Sequence, residues 1–231
     1  MMLLAESIAK SYGKNAVLSG VTFSVAAGEL VSIVGPSGEG KSTIARILCG
    51  TVRRDAGRIA YQGRALSFDA ADRDLRRSIQ LIPQQPYASL DPRQTIGKAI
   101  VEPLLFHRLT KTKAEARQKA CELLEKVLLP PELYHRRPHE LSGGQAQRAL
   151  IARSLTVSPK LLVADEATSM LDVSSQAAIV EVFRQLIGAG DLSVLLISHD
   201  HALVEAVSDR VYQLSDGKMI EKDNHKTEAQ Q

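Results

Sequence analysis

The spacing of hydrophobic residues predicts a protein that contains both strands and helices. Apolar and polar side chains alternate in the first thirty residues, for example at 21–25, which indicates half-exposed antiparallel strands. Short, mostly apolar runs at 30–34, 160–164 and 193–197 are typical of buried strands instead. A helical pattern around 174–187 separates the last two runs. Strands that alternate with helices predict a parallel sheet with helices packed on it.

The pattern changes to a helical one from about residue 85 to residue 155. We therefore expect a single α/β domain over 1–231, interrupted by a helical subdomain at about 85–155. The core would take about 1–84 and 156–221, and the polar, aperiodic tail at 222–231 is expected to be flexible.

Composition excludes several classes of protein. Aromatic residues make up only 4% of the chain and Trp is absent, which argues against a platform that stacks nucleic-acid bases. No apolar run approaches the roughly 18 residues of a membrane-spanning helix. Polar residues interrupt the opening apolar stretch at Glu6, Ser7 and Lys10, so we expect no signal peptide. The two cysteines, Cys49 and Cys121, lack metal-binding spacing and are expected to be small buried hydrophobes.

A glycine-rich loop between a predicted strand and a predicted helix carries the clearest chemical signal. Its glycines allow successive N–H groups to point at phosphate oxygens, and the helix that follows directs its positive end to the same place. Lys41 can reach the β- and γ-phosphates, and the Ser42 hydroxyl can bind Mg²⁺. The residues that we assign to nucleotide binding are Gly35, Pro36, Ser37, Gly38, Glu39, Gly40, Lys41, Ser42 and Thr43.

Two acidic residues follow the apolar run at 161–164. Asp165 would lie at the carboxyl end of a buried strand, where its carboxylate can hold Mg²⁺ through water. Glu166 is placed one residue further on to polarise an attacking water. Many strands end in acidic residues, so this pair alone would be a weak signal. The phosphate loop in the same chain is what makes a catalytic role of the pair a strong prediction.

A second anion-binding site is predicted at the start of another helix. The segment consists of Leu141, Ser142, Gly143, Gly144 and Gln145, and it offers free N–H groups, a hydroxyl and the positive helix end. Taken alone, an ordinary Ser N-cap followed by glycines explains it equally well. One bound triphosphate needs only one such site, so we expect the second to contact the nucleotide of another subunit.

The order of these motifs resembles that of the ATP-binding cassette (ABC) ATPases. The phosphate loop at 35–42, the Leu-Ser-Gly-Gly-Gln signature at 141–145, the acidic pair at 165–166 and His199 all match that family, over nearly the whole chain. The resemblance implies a P-loop NTPase (RecA-like) core with an N-terminal antiparallel β subdomain and an inserted α-helical subdomain. It also implies hydrolysis of ATP with Mg²⁺.

The resemblance assigns roles to further positions. Tyr12 matches the aromatic residue that stacks on adenine, although an ordinary tyrosine at a strand end is the alternative. Gln84 matches the glutamine that touches Mg²⁺ or the attacking water, with Gln85 beside it as a neighbouring register. His199 matches the histidine that contacts the γ-phosphate, and Asp172 lies in the loop that crosses the dimer interface. Glu166, His199 and Gln84 would thus be catalytic, and Ser42, Gln84 and Asp165 would bind the metal.

Within the family, the segments at 86–93 and 100–104 resemble the dipeptide/oligopeptide/nickel importer branch. This resemblance implies uptake of peptides, nickel or a metal chelate through separate transmembrane permease subunits, served indirectly by a solute-binding protein. A second ABC ATPase subunit, identical or related, would complete the nucleotide sites. We expect the chain on the cytoplasmic face of the inner membrane, with no nucleic acid as a partner.

Two other functions are left open by the sequence. One is an ABC ATPase of a non-transport complex, such as the carbon–phosphorus lyase machinery that degrades phosphonates. The other is a nucleotide sensor that does not hydrolyse ATP, which the complete catalytic set argues against. A chromosome or DNA-repair ATPase is disfavoured, because the roughly 120 residues between Lys41 and Asp165 leave no room for a long coiled coil.

Overall fold

A computed structural model describes residues 1–66, 73–190 and 192–222 of the chain. The strands are β1 (Leu3–Tyr12), β2 (Asn15–Val25), β3 (Leu30–Val34), β4 (Ala56–Tyr61), β5 (Arg64–Ala65), β6 (Ile79–Ile82), β7 (Leu161–Asp165), β8 (Ser193–Ser198), β9 (Arg210–Ser215) and β10 (Lys218–Lys222). The helices are α1 (Lys41–Leu48), α2 (Arg73–Ser78), α3 (Pro86–Ser89), α4 (Ile96–Phe106), α5 (Lys113–Lys126), α6 (Gly143–Leu155), α7 (Val173–Gly188) and α8 (His201–Val207). Two short 3₁₀ helices span Pro131–His135 and Pro138–Glu140.

The larger sheet has the strand order β10-β9-β3-β8-β7-β6. Strand β3 pairs in parallel with both β8 and β9, and β7 pairs in parallel with β8. Every residue of β3 and β8 is buried, which explains why these strands read as continuous apolar runs rather than as alternating ones. Strand β10 runs antiparallel to β9 at one edge, as the second strand of a hairpin that turns at Asp216 and Gly217.

The smaller sheet has the strand order β2-β1-β4-β5, with antiparallel pairing throughout. Its buried face contributes residues such as Leu3, Val21 and Phe23 to a hydrophobic core that also includes Ile33 of β3 and Ile44 of α1. The expected parallel core, the antiparallel N-terminal sheet and the helical insertion between β6 and β7 are therefore all present. Among the described residues, no helix combines the length and the apolar character needed to cross a membrane.

The chain divides into two compact units. Unit 1 comprises Met1–Leu81, Lys160–Glu166 and Ile187–Gln231, and unit 2 comprises Ile82–Pro159 and Ala167–Leu186. Unit 2 thus includes residues 167–186, which the sequence interpretation assigned to the core. The expected flexible tail falls outside the described residues from position 223 onward.

Candidate functional site

The phosphate loop lies in unit 1 between β3 and α1. Gly35 is buried at the end of β3, whereas Pro36, Ser37 and Gly38 are exposed. Gly38 and Gly40 have φ angles of 88° and 97°, in the left-handed region that glycine adopts without strain. Gly40 is also the N-cap of α1, and its carbonyl accepts a hydrogen bond from the Ile44 amide at 3.1 Å. The loop therefore leads directly into the positive end of a helix, as the motif predicted.

Gly35 is required for a reason that the motif did not indicate. A Cβ atom at this position would lie 2.3 Å from the carbonyl oxygen of Leu214 in β9, well inside the 3.0 Å that real Cβ atoms keep. The φ angle of Gly35 is not in the left-handed region, so packing rather than backbone conformation demands glycine here. The first glycine of the loop thus allows the loop to lie against β9.

Lys41 is the buried cation of this loop. Its side chain is only 4% exposed, and its Nζ donates hydrogen bonds to the carbonyl oxygens of Gly35 and Pro36, each at 2.7 Å. Nζ also lies 3.9 Å from Oε1 of Glu166. The ammonium group is consequently held over the loop, between the phosphate-binding segment and the acidic pair.

Ser42 and Asp165 form the second contact of the site. The Ser42 hydroxyl donates to Oδ1 of Asp165 at 3.0 Å, which joins the first turn of α1 to the end of β7. Burial raises the pKa of the Asp165 carboxyl, and the Glu166 carboxylate acts in the same direction, while the hydrogen bond from Ser42 lowers it. A buried carboxylate of this kind is stabilised by a cation, so Asp165 and Ser42 suit a magnesium ion that also binds phosphate oxygens.

The described residues contain no cluster of three or more histidine, cysteine or carboxylate side chains that could hold a metal ion by itself. Mg²⁺ is commonly held by one or two protein oxygens together with the phosphates of its nucleotide, and that mode needs no such cluster. The oxygens of Ser42 and Asp165 are consistent with it.

Glu166 and His199 extend the site at the ends of β7 and β8. Glu166 has a φ angle of 50°, a strained conformation for a residue with a side chain, and its amide donates to the Ile197 carbonyl at 2.9 Å. Its side chain is 16% exposed, and Oε2 lies 3.7 Å from Nδ1 of His199. The strained backbone thus holds a half-enclosed carboxylate between Lys41 and the more exposed imidazole.

Tyr12 ends β1 on the same unit. Its side chain remains 46% exposed, and the ammonium group of Lys10 lies 5.5 Å from the ring centroid. Lys10 is itself held by Asp55, whose carboxylate accepts a hydrogen bond from Nζ at 2.7 Å. An exposed aromatic ring at a strand end is compatible with stacking on a base, and the contact with Lys10 restrains it.

Gln84 lies in unit 2 and contacts the segment that follows the acidic pair. Its Nε2 donates to the hydroxyl of Ser169 at 3.2 Å. The neighbouring Gln85 is exposed and occupies the N-cap position of α3. The two glutamines therefore differ in position. Gln84, which the family resemblance selected, makes the partly buried contact with Ser169, whereas Gln85 is exposed.

The signature segment, also in unit 2, forms the N-terminus of α6. Ser142 is the N-cap, with its Oγ accepting from the Gln145 amide at 3.2 Å. Its own amide donates to Oε1 of Gln145 at 3.0 Å, which completes a capping box. Leu141 is buried, and its carbonyl accepts a hydrogen bond from the Tyr87 hydroxyl at 2.9 Å. The ordinary N-cap role is thus present, and it fixes the segment that would meet an anion.

Asp172 caps the N-terminus of α7 in the same unit. Its carboxylate accepts hydrogen bonds from the Ser174 hydroxyl and from the Ser175 amide and hydroxyl. These hydrogen bonds hold the pKa of Asp172 well below its usual range. Asp172, which the family resemblance assigned to a dimer interface, therefore stabilises the first turn of α7.

The sequence interpretation missed Gln147. Its side chain is only 1% exposed, in the middle of α6, and Nε2 donates to the Pro83 carbonyl at 3.1 Å. This contact ties the signature helix to the residue preceding Gln84. The signal was available, because Gln147 lies among the apolar residues Ala146, Leu150 and Ile151, but periodicity alone does not name its partner.

Comparison with known proteins gives this geometry a family. The sequence profile of the family described as ABC transporter matches residues 18–169, which is more than half of the chain and includes the phosphate loop, the signature and the acidic pair. The chain belongs to the ABC transporter family.

Three similar curated proteins are named as ATP-binding proteins of import or transport systems. The chain is 47% identical over 203 residues to the glutathione import ATP-binding protein GsiA of Pectobacterium atrosepticum, covering 87% of this chain and 32% of the relative. It is 44% identical over 206 residues to the oligopeptide transport ATP-binding protein OppF of Salmonella typhimurium, covering 88% and 62%. A putative peptide import ATP-binding protein of Brucella ovis is 43% identical over 226 residues, with 95% and 71% covered. The chain thus spans about a third of the first relative and under two thirds of the second.

Solved ABC cassettes share the fold. A dimeric post-hydrolysis state of the cassette MJ0796, bound to ADP and Pi, superposes with a TM-score of 0.85 at 30% identity, covering 96% of this chain and 99% of that one. The cassette cbiO1 of Clostridium perfringens, part of the cbiONQ complex, gives a TM-score of 0.88 at 24% identity, with 99% and 91% covered. The expected α/β P-loop NTPase fold is confirmed.

Proposed function

We propose that this chain is the ATP-hydrolysing subunit of an ABC importer that takes up peptides. The observation that carries the proposal is the grouping of Lys41, Ser42, Asp165, Glu166 and His199 around one phosphate loop, in a member of the ABC transporter family. The chemistry of these side chains suits ATP hydrolysis: a cation for phosphate oxygens, oxygens for a metal ion and a carboxylate for water. The peptide specificity rests on the printed names of the relatives.

Binding of the nucleotide is assigned to the phosphate loop and Tyr12. The backbone N–H groups of the loop from Gly35 to Thr43, which Pro36 lacks, and the N-terminus of α1 would receive the phosphates, because both present positive charge to an anion. The Lys41 ammonium would exchange its contacts with the Gly35 and Pro36 carbonyls for phosphate oxygens. Tyr12 would stack on the base.

Catalysis is assigned to Glu166 with His199 and Gln84. The Glu166 carboxylate would accept a hydrogen bond from the attacking water and orient it toward the γ-phosphate. Lys41, 3.9 Å from this carboxylate, balances its charge. His199 would contact the γ-phosphate, and Gln84 would contact the water or the metal ion.

The oxygens of Ser42 and Asp165 would hold a magnesium ion, and the family resemblance alone assigns Gln84 as a further ligand. When bound, Mg²⁺ neutralises negative charge that develops on the phosphate oxygens. The Ser42 hydroxyl, which now donates to Asp165, would turn its oxygen toward the ion. Asp165, whose pKa is raised by burial, would become ionised more readily beside it.

The signature would act on the nucleotide of a second cassette, identical or related. A capped helix N-terminus at Ser142 offers amide groups to the γ-phosphate, and Asp172 would lie at the same interface. Dimeric MJ0796 supports pairing of two cassettes as a property of this fold. Closure and reopening of such a dimer would drive transmembrane permease subunits at the cytoplasmic face of the inner membrane, with a solute-binding protein delivering the peptide.

Nickel or a metal chelate remains an alternative cargo that nothing among these relatives supports specifically. Likewise, no observation favours the carbon–phosphorus lyase alternative.

The Glu166→Gln variant tests the assignment of the base. The amide keeps the shape of the side chain but cannot accept a proton from the attacking water. We therefore expect ATP binding to persist and turnover to fall by about 10²–10⁴-fold. ATP should also stabilise a dimer of this variant, because hydrolysis no longer reopens the closed dimer that ATP holds together. Phosphate release and the mass of the ATP-bound species in solution measure both effects.

The matched control is Glu29→Gln, which neutralises another poorly exposed carboxylate of unit 1 that accepts a hydrogen bond from the Ala26 amide. It should leave turnover near that of the unmodified chain. Near-normal turnover of Glu166→Gln, together with no ATP-dependent dimer, would contradict the proposed role.

A further inference from the structure

Both glycines of the signature lie against the segment that begins α7. A Cβ atom on Gly143 would lie 3.2 Å from Cδ2 of Leu171. On Gly144, a Cβ atom would lie 2.5 Å from Oγ and 2.7 Å from Cβ of Ser175. The Cβ of Ser175 is attached to the backbone and cannot rotate away. Packing within unit 2 therefore demands glycine at 144, whatever the nucleotide requires.

Ser175 is itself fixed by Asp172. Its amide donates to Oδ1 of Asp172 at 2.9 Å, and its hydroxyl donates to Oδ2 at 2.8 Å. The Gln176 amide donates to the Asp172 carbonyl at 2.9 Å, and the Gln176 side chain donates to the Thr168 carbonyl at 3.1 Å. These hydrogen bonds all lie within the segment 168–176 and hold it in one conformation. Ser175 cannot give way to a larger residue at 144 without breaking its bonds to Asp172.

We infer that Ser175 is a positioning residue that joins the Asp172 loop to the signature helix. Its Oγ bonds Asp172, and its Oγ and Cβ both lie against Gly144, so that these two segments are presented to a second cassette as one rigid unit. This inference rests on the proposed function, in which the signature and Asp172 both face that second cassette. It assigns to Ser175 a role that neither the motif nor the family resemblance gave it.

If Ser175 obstructs residue 144, a substitution at 175 should compensate for Gly144→Ala. A role of Gly144 in nucleotide contact alone predicts no such compensation. If glycine is needed only for a phosphate to approach, changes at 175 cannot relieve Gly144→Ala. If Ser175 is the obstacle, Ser175→Gly removes both close contacts and should relieve it. Ser175→Ala removes Oγ but leaves the Cβ at 2.7 Å, so it should not.

The experiment compares Gly144→Ala alone, with Ser175→Gly and with Ser175→Ala, using Ser175→Gly by itself as the matched control. Thermal unfolding is measured without nucleotide, and ATP-dependent dimerisation is measured with Glu166→Gln added to each chain. We expect Gly144→Ala to lower Tm by roughly 4–10 °C, since overpacking forces backbone shifts. We expect dimerisation of Gly144→Ala to weaken about tenfold or more. Ser175→Gly should restore most of the Tm but not the dimerisation, because it also removes the hydroxyl that bonds Asp172, and Ser175→Gly alone should dimerise more weakly for the same reason.

Three outcomes would overturn the inference. The first is that Ser175→Gly does not restore the Tm of Gly144→Ala, and the second is that Ser175→Ala restores the Tm as well as Ser175→Gly does. The third is that Ser175→Gly alone dimerises with ATP as well as the chain that keeps Ser175, which would make the contact structural only. If Gly144→Ala does not fold, soluble yield replaces Tm, and an insoluble Gly144→Ala/Ser175→Gly chain counts against the inference.

Failure of the proposed function gives a different result. In that case Glu166→Gln with Gly144 and Ser175 intact would not dimerise with ATP at all. The Tm rescue would still decide whether Ser175 is what restricts residue 144.

Discussion

Gly35→Ala is the substitution for which the structure predicts an effect that the phosphate-loop motif does not. The added methyl group would lie 2.3 Å from the Leu214 carbonyl oxygen, 3.3 Å from its carbonyl carbon and 3.5 Å from its Cβ. The first of these contacts involves backbone in the interior strand β9, which no change of rotamer can relieve.

The size of the effect follows from that distance. The loop or β9 must move by about 0.7 Å before the contact reaches 3.0 Å. Overpacking of this kind costs about 1–3 kcal/mol, and we take the upper value because the obstacle is backbone on both sides. A loss of 3 kcal/mol corresponds to a fall in Tm of about 6–12 °C in a chain of this length.

Thermal unfolding of the nucleotide-free chain measures this loss, and Gly38→Asn is the matched control. A Cβ at Gly38 meets nothing within 4 Å, and asparagine tolerates the left-handed φ of 88° better than most residues. The larger substitution should therefore cost less, about 1 kcal/mol or a Tm change of about 2–4 °C. If Gly35→Ala were as stable as Gly38→Asn without nucleotide, glycine at 35 would serve the nucleotide alone and the packing argument would be wrong.

Two further predictions concern the site. Asp165→Asn should abolish stabilisation by magnesium and ATP while leaving Tm without nucleotide unchanged or raised, because the pKa of this buried carboxyl is raised and its ionised form opposes folding at neutral pH. Its Tm advantage should shrink as the pH falls into the acidic range, because the raised pKa lets the native carboxyl take up its proton there; an advantage that grows in that range would refute the reasoning. Gln147→Met should cost about 2 kcal/mol, or about 4–8 °C in Tm, since the Pro83 carbonyl loses its partner, whereas the exposed Gln118→Met should cost little. Equal stability of these two variants would contradict the role given to Gln147.

The sequence predicted the elements of this fold well where hydrophobic periodicity was unambiguous. The apolar run expected to form a strand at 30–34 is β3, and the helix expected after the phosphate loop is α1. The hairpin between β9 and β10 turns at Asp216 and Gly217, a pair of residues that favours tight turns. Such features depend on neighbours in the chain, which a sequence displays directly.

Contacts between distant residues could not be predicted in this way. Gly35 meets Leu214 because β3 and β9 are neighbours in the sheet, and no local pattern states that order. Ser175 lies against Gly144 for a similar reason, 31 positions away in the chain. The motifs indicated that both glycines belong to anion-binding segments. Only the fold shows that Leu214 and Ser175 leave no room for a side chain at these positions.

The central claim is that the phosphate loop is half of a nucleotide site, completed by the signature of a second cassette. Mixing two inactive variants, Lys41→Ala and Ser142→Arg, tests it most directly. In a mixed dimer, one site would combine the intact loop of the Ser142→Arg chain with the intact signature of the Lys41→Ala chain. We predict that ATP hydrolysis, absent from each variant alone, returns on mixing. Mixed dimers that are present by mass but remain inactive would contradict the claim.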